Sequence, residues 1–327
     1  MIVDLPNTTT SGISKALVTV REEGGAVALG RVLTLVISTR HGAEEEAIEA
    51  ANEASREHPM RIIVLSTPPD SSPQESSRLD AQIRVGGDAG AGEVVVLRAF
   101  GETAEHEEGL ITALLLADAP VVAWWPTDAP TVVSDSPIGR MAQRRITDSA
   151  SEVDPHEHLR QLAANYQPGD TDFAWTRLTL WRAQLAAVLD QPPFEPIETI
   201  AVIGASDSPS TTLLAAWLQL QLEIPVAITL VDPAGSRPGI HSVTLTRNSG
   251  IISLQRTQVG IVTLDQPGQP QHDISLPRRN LRDCLSEELR RLDPDDLFGR
   301  VLQHGLRQLE EPRAARKSSD CGSTVAP

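Results

Sequence analysis

The N-terminal part of the chain alternates between strand-like and helix-like patterns of hydrophobic positions. Residues 31–39 (RVLTLVIST) and 61–67 (RIIVLST) are nearly continuous apolar runs, and residues 42–58 between them are rich in Ala and Glu, which favour helices. A strand, a helix and a second strand at this spacing predict a parallel β-α-β unit.

Further strands are predicted after this unit. Residues 78–85 and 93–99 alternate as a strand pair across the glycine-rich residues 86–92. We interpret the glycines as a hairpin loop rather than a nucleotide loop, because no helix follows them. The other elements predicted in this part are a helix over residues 110–117 and a strand over residues 121–125.

The last third of the chain begins as another β-α-β unit and then changes its pattern. Residues 199–205 (TIAVIGA) and 225–232 (PVAITLVD) predict strands on either side of a helix over residues 208–222. Short alternating runs then predict an antiparallel meander, at residues 241–247, 250–256, 259–265 and 272–276. Two helices over residues 281–292 and 294–309 complete the pattern.

These patterns predict an α/β protein with two α/β domains, for which a length of 327 residues is sufficient. Prolines at 192, 193 and 196 mark the boundary. Residues 1–190 are predicted to form a domain with a mixed, mostly parallel sheet. Residues 191–311 are predicted to form a domain in which β-α-β is followed by the antiparallel meander and C-terminal helices. The polar residues 312–327 predict a disordered tail.

An amphipathic pattern over residues 169–190 (GDTDFAWTRLTLWRAQLAAVLD) predicts a single helix. Its apolar stripe, with a spacing of three or four, is Trp175, Leu178, Trp181, Leu185 and Leu189. Asp170 or Thr171 is expected to cap the first turn, because a short oxygen-bearing side chain satisfies the free N–H groups there. Pro192 and Pro193 are expected to end the helix.

A shorter helix is predicted earlier in the chain, before a helix over residues 156–166. Its start is expected at residues 136–139, where Ser136 can cap it, and it is expected to carry Arg140, Arg144 and Arg145. Arg140 and Arg144 are four positions apart and would share one face of such a helix. Residues 146–149 then predict a short edge strand.

Aromatic and charged residues are concentrated around these two predicted helices, although the chain has only five Trp, four Phe and one Tyr. We call the set the Trp/Arg/Asp module; it consists of Trp124, Trp125, Arg140, Arg144, Arg145, Asp148, Asp170, Asp172, Trp175, Arg177, Trp181 and Arg182. Charges beside large apolar side chains are costly to bury unless they pair or face a partner. Three hypotheses follow: structural ion pairs, a partner-binding surface of the kind that Trp and Arg dominate, or a sugar-phosphate pocket.

The charge balance limits the classes of partner. A formal net charge of −16 argues against nucleic acid and against anionic membranes, because both are negatively charged. The apolar runs are too short to span a bilayer, and the first residues lack the basic and apolar blocks of a signal peptide. We therefore expect a cytoplasmic protein.

No pattern of residues predicts catalysis, a cofactor site or a metal site. Residues 204–210 (GASDSPS) can hold an anion at a helix N-terminus, but they lack the Walker lysine and the Gly-x-Gly-x-x-Gly spacing, so a tight β-α turn is favoured. His156 and His158 would diverge on a helix. Cys284 and Cys321 are too few for a metal site.

Three stretches carry a resemblance to a known family: WWP at 124–126, PIGRMAQRRITDS at 137–149, and residues 169–190. Through them the sequence resembles the glucose-6-phosphate dehydrogenase assembly protein family, OpcA, in the same order along most of the chain before the tail. The family signature maps onto Gly169, Asp170, Thr171, Asp172, Trp175, Thr176, Arg177, Trp181 and Arg182. Phe173 departs from it, since an aliphatic residue is expected there. The arginine bias, with Lys15 and Lys317 as the only lysines, looks like that of an actinobacterial member.

The resemblance implies a non-catalytic accessory protein that binds glucose-6-phosphate dehydrogenase and promotes its assembly or activation, and thereby NADPH supply through the oxidative pentose phosphate pathway. The expected mechanism is a population shift toward the active form of the enzyme. The alternative hypothesis is a sugar-phosphate-binding enzyme or metabolite sensor that uses the arginines of the module together with residues 204–210. A sugar phosphate is also considered as a modulator of the accessory protein.

Overall fold

The computed structural model describes residues 1–23, 31–68, 76–86, 92–232 and 238–310. The chain forms two compact units that are interleaved along the sequence. The first unit contains Met1–Asp154, Gln167–Arg177 and Arg279–Asp295, and the second contains Pro155–Tyr166, Leu178–Arg278 and the described residues from Asp296 onward. The predicted tail at 312–327 and most of the glycine-rich hairpin loop lie outside the described residues.

The first unit is built on an eight-stranded mixed sheet. Its strands are β1 (Ile2–Leu5), β2 (Leu33–Arg40), β3 (Met60–Thr67), β4 (Arg78–Val85), β5 (Glu93–Phe100), β6 (Val121–Trp124), β7 (Arg144–Thr147) and β8 (Asp170–Asp172). They lie side by side in the order β1-β4-β5-β3-β2-β6-β7-β8. The β1–β4 and β4–β5 pairs are antiparallel, and the other pairs are parallel.

The parallel strands of this sheet follow a doubly wound topology. Numbered along the chain from β2 to β8 without β4, they lie in the order 3-2-1-4-5-6. The direction of winding therefore reverses between β2 and β6, at a topological switch point. Their carboxyl ends meet at one edge of the sheet, which is where open α/β sheets bind ligands.

The helices are α1 (Thr10–Glu23), α2 (Glu44–Ala54), α3 (Glu107–Thr112), α4 (Pro137–Met141), α5 (Pro155–Asn165), α6 (Phe173–Thr176), α7 (Thr179–Leu189), α8 (Pro209–Leu222), α9 (Leu281–Leu289), α10 (Asp296–Arg300) and α11 (Leu306–Glu310). A π-helical turn, Val301–Gly305, joins the last two. No helix among the described residues is both long and apolar enough to cross a membrane.

Helices α2 and α9 close the core of the first unit. Ala47, Ile48 and Ala51 of α2 are buried at helical spacing against the apolar strands β2 and β3. Three glutamates occupy the first turn of α2, where negative charge suits the helix dipole. Leu285 and Leu289 of α9 join the same cluster, so a segment close to the C-terminus completes the N-terminal core.

The second unit contains a six-stranded sheet in the order β10-β9-β11-β12-β13-β14. Its strands are β9 (Thr199–Ala205), β10 (Val226–Val231), β11 (Ile240–Arg247), β12 (Gly250–Gln258), β13 (Ile261–Asp265) and β14 (His272–Ser275). The β9–β10 pair is parallel across helix α8, and the β9–β11 pair and the remaining pairs are antiparallel. Helix α8 packs on β9 and β10, and the π-helical turn and α11 pack on α8.

The predicted α/β class is confirmed, with a mixed, mostly parallel first sheet and a second sheet in which β-α-β is followed by an antiparallel meander. That residues 1–190 and 191–311 each fold as one contiguous domain remains a prediction. The compact units differ from them in sequence, because α5 and α9 each pack with residues from the other half of the chain.

Local predictions in two stretches of the chain, residues 136–149 and 169–190, are wrong. The helix expected to carry three arginines ends at Met141, and Arg144 and Arg145 lie on β7 instead. This strand is not at an edge, because β6 and β8 pair with its two sides. Burial in the middle of a parallel sheet outweighs the helical spacing that the arginines happen to have.

The helix predicted over residues 169–190 is also divided. Asp170 and Thr171 lie on β8 and are not caps, α6 follows it, and α7 begins only at Thr179. The cap of α6 is Asp172, whose carboxylate accepts a hydrogen bond from the Ala174 amide at 2.8 Å. The predicted apolar stripe is present, but its first residues follow directly after a buried strand.

Candidate functional site

Asp172 is a buried carboxylate that connects β7, β8 and α6. Besides capping α6, it accepts hydrogen bonds from the hydroxyls of Thr147 and Ser149, both at 2.6 Å, and from the Ser149 amide at 2.9 Å. Asp172 and Thr147 have no solvent-exposed surface. Four hydrogen bonds to one ionised group compensate the cost of burying its charge.

Arg177 and Asp148 form a bidentate ion pair beside this carboxylate. The two guanidinium nitrogens of Arg177 donate to the two carboxylate oxygens at 2.7 and 2.6 Å, and Asp148 is completely buried. Burial on its own would lower the pKa of Arg177, but the hydrogen bonds and the charge of Asp148 outweigh it and hold that pKa above its ordinary value. Arg177 therefore stays charged at any physiological pH.

Arg145 pairs with Asp170 on the neighbouring strand. Arg145 also donates to the carbonyl oxygens of Ala142 at 3.0 Å and Pro168 at 2.7 Å. Burial raises the pKa of Asp170, whereas the Gln167 amide and Arg145 act against that rise.

Gly169 has a φ of +99°, and a β-carbon there would approach the Gln143 carbonyl to 2.6 Å. Gly169 is thus needed for the backbone turn that presents Asp170 to Arg145.

Arg144 reaches in a different direction, to Glu288 on α9. Its guanidinium donates to the Glu288 carboxylate, with Nε at 2.9 Å, and to the Asp293 carbonyl at 2.8 Å. The same carboxylate accepts a hydrogen bond from the Thr176 hydroxyl at 2.5 Å. Both members of the ion pair are buried, so this pair joins β7 and α6 to α9.

The tryptophans of the first unit fill the space around these pairs. Trp124 packs on Phe173 with ring centroids 5.5 Å apart, and both side chains are fully buried. The indole N–H of Trp175 donates to the carboxylate of Asp295 at 2.9 Å. Trp125 is also buried and follows directly after β6.

Three residues of the module lie elsewhere. Arg140 is exposed on α4, where it pairs with Glu108 at 3.1 Å. Trp181 and Arg182 belong to the second unit. There the guanidinium of Arg256 lies 5.5 Å from the Trp181 ring, and Arg182 donates to the Thr179 hydroxyl at 3.3 Å.

The sequence prediction missed the partners supplied by residues 279–295, which are Glu288, Asp293 and Asp295. No local pattern marks Glu288, since a glutamate on an amphipathic helix is ordinarily solvated. Cys284 of α9 is buried in the same core, and burial raises the pKa of its thiol to about 12. This thiol therefore stays protonated and is a packing group rather than a nucleophile.

The site can stabilise the structure, but few of its charged groups are available to bind a ligand. The guanidinium groups of Arg144, Arg145 and Arg177 each face a buried carboxylate, so they are already neutralised where a phosphate would need them. Across the described ranges, no group of three or more His, Cys, Asp or Glu side chains is arranged to hold a metal ion. In the turn at residues 204–210, Ser208 and Ser210 are buried.

The switch point of the first sheet carries a carboxylate where a dinucleotide fold binds phosphate. In such folds the pyrophosphate lies at the N-terminus of the helix after the first parallel strand. Here that helix is α2, and the buried Glu44 carboxylate accepts hydrogen bonds from the Gly42 amide at 2.8 Å and the Ser66 hydroxyl at 2.6 Å. Burial would raise the pKa of Glu44, but these hydrogen bonds, with its own amide, hold it below its ordinary value.

Two family models match consecutive parts of the chain. Residues 51–164 match the N-terminal domain, and residues 168–302 the C-terminal domain, of the OpcA-type subunit of glucose-6-phosphate dehydrogenase. The chain therefore belongs to the OpcA family of glucose-6-phosphate dehydrogenase subunits, and the family resemblance predicted from its motifs is confirmed. No curated protein sequence matches the chain significantly.

The solved structures that the chain matches are distant in sequence. A 3-ketoreductase from Actinomadura kijaniata is 10% identical, with a TM-score of 0.48 over 85% of this chain and 94% of that chain. A glucose-6-phosphate 1-dehydrogenase from Mycobacterium avium is 12% identical, with a TM-score of 0.43 over 86% and 93%. An oxidoreductase from Pseudomonas syringae is 12% identical, with a TM-score of 0.39 over 91% and 92%.

Proposed function

We propose that this chain is a non-catalytic accessory protein that binds glucose-6-phosphate dehydrogenase in the cytoplasm and promotes its assembly or activation. The observation that carries the proposal is the match of both halves of the chain to the two domains of the OpcA family. The accessory protein would act by binding the active form of the enzyme more tightly than the inactive form. A hundredfold preference shifts that equilibrium by at most about 2.7 kcal/mol.

The chemistry of the first unit supports a role without catalysis. Glu44 places a negative charge at the helix terminus that a dinucleotide phosphate would need, and the hydrogen bonds from Gly42 and Ser66 are already used. A phosphate at that point would meet an unfavourable buried charge. This arrangement disfavours the binding of a nicotinamide dinucleotide at the switch point.

The buried part of the Trp/Arg/Asp module acts, in this proposal, as a structural brace. Arg144, Arg145 and Arg177 pair with carboxylates inside the first unit, and Trp124 and Trp175 are no more than 1% exposed. Side chains that are buried in the free chain cannot contact another protein unless the chain unfolds around them. The partner therefore contacts a different face.

The open face of the second sheet is the surface we propose for that contact. Along β9, β10, β11 and β12 the core-facing residues alternate with outward residues that are Thr, Ser, Ala, Ile, Val or Gln, and none of the outward residues at paired positions is charged. Among them, Thr229, Ile251 and Gln255 are exposed. A solvated sheet face ordinarily carries charged side chains, whereas the centres of protein interfaces are depleted of them.

The area of this face fits a protein partner. Strands spaced ~4.8 Å apart and rising ~3.3 Å per residue give the uncharged part of the face, on β9 to β12, an area on the order of 400 Å². Strands β13 and β14 extend the face and carry the outward carboxylates of Asp265 and Asp273. A standard interface buries about 800 Å² on each partner. A dehydrogenase surface covering the sheet and its rim would therefore reach the usual size.

The function is tested with dehydrogenase from the same organism. We expect the purified accessory chain to raise the rate of NADPH formation and to move the enzyme into a larger species in size-exclusion chromatography with light scattering. An equal amount of serum albumin is the control for non-specific protein effects. An unchanged rate together with separate elution of the two proteins would contradict the proposed function.

The contact face is tested by Thr244→Arg at the centre of β11. Thr244 lies opposite Ala201 of β9 and Ser253 of β12, so the new charge would be desolvated in the complex. We expect the Kd for the dehydrogenase, measured by biolayer interferometry, to rise about tenfold or more. Circular dichroism should show that the variant is folded, because the substituted side chain points away from the core.

The matched control is Val153→Arg, which adds the same charge at a fully exposed position of the first unit. Binding by both variants with the Kd of the unmodified chain would exclude this face as the contact surface. Absence of binding by the unmodified chain would instead contradict the accessory function itself.

A further inference from the structure

A cleft of about 450 Å³ opens in the first unit at the carboxyl edge of its parallel strands. Ser38 and Thr39 line it from the end of β2, Thr67 from the end of β3, and Trp125 from the residue after β6. The gap between β2 and β6 is the topological switch point of the sheet, where open α/β folds place their ligands. The volume lies in the range of sites that hold small molecules, about 300–1,000 Å³.

The walls of the cleft carry both hydrogen-bond donors and acceptors. The guanidinium of Arg40 donates to both carboxylate oxygens of Asp128, at 2.7 and 3.0 Å. Asp128 has a left-handed backbone conformation, with a φ of 54°, and the ion pair with Arg40 holds it in the wall of the cleft. Glu105 and Glu107 also line the cleft, and burial raises the pKa of Glu107.

One polar group in the cleft lacks a partner. Thr39 is 5% exposed, and its hydroxyl oxygen is buried without a hydrogen bond to any other described group. A buried hydroxyl that is unsatisfied costs about 1–3 kcal/mol of desolvation. A ligand hydroxyl in the cleft would provide the missing hydrogen bond after a small rotation of this side chain.

The charges in and beside the cleft disfavour an anion. Asp128 already neutralises Arg40, Glu105 adds a negative charge, and Glu44 closes the helix terminus that would otherwise attract phosphate. Carboxylates, a guanidinium and hydroxyls at close spacing instead match a molecule whose every polar group can both donate and accept, as the hydroxyls of a sugar or cyclitol do.

We propose that this cleft binds an uncharged polyhydroxylated small molecule of monosaccharide or cyclitol size. Asp128 accepts hydrogen bonds from ligand hydroxyls, Arg40 and Thr39 donate to them, and Trp125 forms the apolar floor. The site is independent of the proposed contact face, which belongs to the other unit. It would make the accessory protein responsive to a neutral metabolite.

The test uses the full chain without dehydrogenase and titrates D-glucose, D-ribose and myo-inositol into the millimolar range, with glucose 6-phosphate and putrescine as charged comparisons. Binding is measured by isothermal titration calorimetry and by thermal unfolding. We expect at least one neutral compound to bind and to raise the unfolding temperature by about 2 °C or more. Binding by none of the three, or tighter binding of either charged compound, overturns the proposal.

Two variants locate the site. Asp128→Asn should weaken binding of the neutral compound about tenfold or more, because a charged acceptor is lost. Asp118→Asn is the matched control, since Asp118 is also exposed and left-handed, with a φ of 58°, but lies outside the cleft. Thr39→Val should weaken binding without loss of stability, because it removes an unsatisfied hydroxyl. Unchanged binding by Asp128→Asn and Thr39→Val would overturn the assignment to this cleft.

Discussion

Glu288→Ala is expected to lower the free energy of unfolding by about 3–5 kcal/mol, because it leaves the Arg144 guanidinium buried without its carboxylate. Arg144 and Glu288 are both buried, and the carboxylate also accepts a hydrogen bond from Thr176. The substitution therefore removes the connection between β7, α6 and α9 in one step. Urea denaturation followed by circular dichroism measures the loss.

The matched control for this prediction is Glu108→Ala. Glu108 also pairs with an arginine, Arg140, but more than half of each side chain is exposed. Exposed pairs contribute about 0–1 kcal/mol, so we expect almost no change in the unfolding midpoint. Equal midpoints for Glu288→Ala and Glu108→Ala would show that the buried pair does not brace the first unit.

Trp175→Ala is expected to cost about 3–5 kcal/mol, because it leaves a cavity in the core next to α9. Trp175 is 1% exposed and its indole N–H donates to the Asp295 carboxylate. Trp175→Phe keeps most of the ring volume and removes only that donor, so a loss of about 1–3 kcal/mol is expected. The difference between the two variants separates packing from hydrogen bonding.

Leu180→Ala is the control within the adjoining helix α7, since Leu180 is a large apolar residue that is 36% exposed. Because part of this side chain is covered, we expect Leu180→Ala to cost about 1 kcal/mol, well below the loss for Trp175→Ala. If Trp175→Ala were as stable as the unmodified chain but failed to bind dehydrogenase, Trp175 would be a contact residue. The brace proposed for the module would then be wrong.

These variants also test whether the residues of the family signature stabilise the fold or contact the partner. Gly169, Asp170, Asp172 and Arg177 stand at the turn, strand, cap and ion pair that shape the first unit. In our proposal the signature fixes the fold of the accessory chain, and the uncharged β9–β12 part of the sheet face in the second unit contacts the enzyme. A shared motif therefore does not have to mark the surface at which the partner binds.

The regular elements were predictable from the sequence because their signals are local. The apolar runs at β2, β3 and β9, the Ala-rich α2 and the alternating β11 to β13 each report burial through periods of a few residues. Those periods determined the α/β class and the two sheet types. The motifs at residues 124–126, 137–149 and 169–190 determined the family.

The sequence singled out many charged and aromatic residues, but it did not predict their arrangement. Arg144 and Arg145 have helical spacing with Arg140, yet they lie on an inner strand, because hydrogen bonds from β6 and β8 on both sides outweigh a short local preference. Glu288 and Asp295 were not recognised, since an acidic residue on a helix has the same local pattern whether it is solvated or paired.

The amino-acid sequence by itself determined the fold class and the family. Only the tertiary structure decided which charges pair, because a buried ion pair such as Arg144 with Glu288 joins positions 144 residues apart. It alone also decided the switch-point cleft and the uncharged part of the second sheet's face, on β9 to β12. Both features depend on which strands become neighbours, and that choice is made by long-range packing rather than by local periodicity.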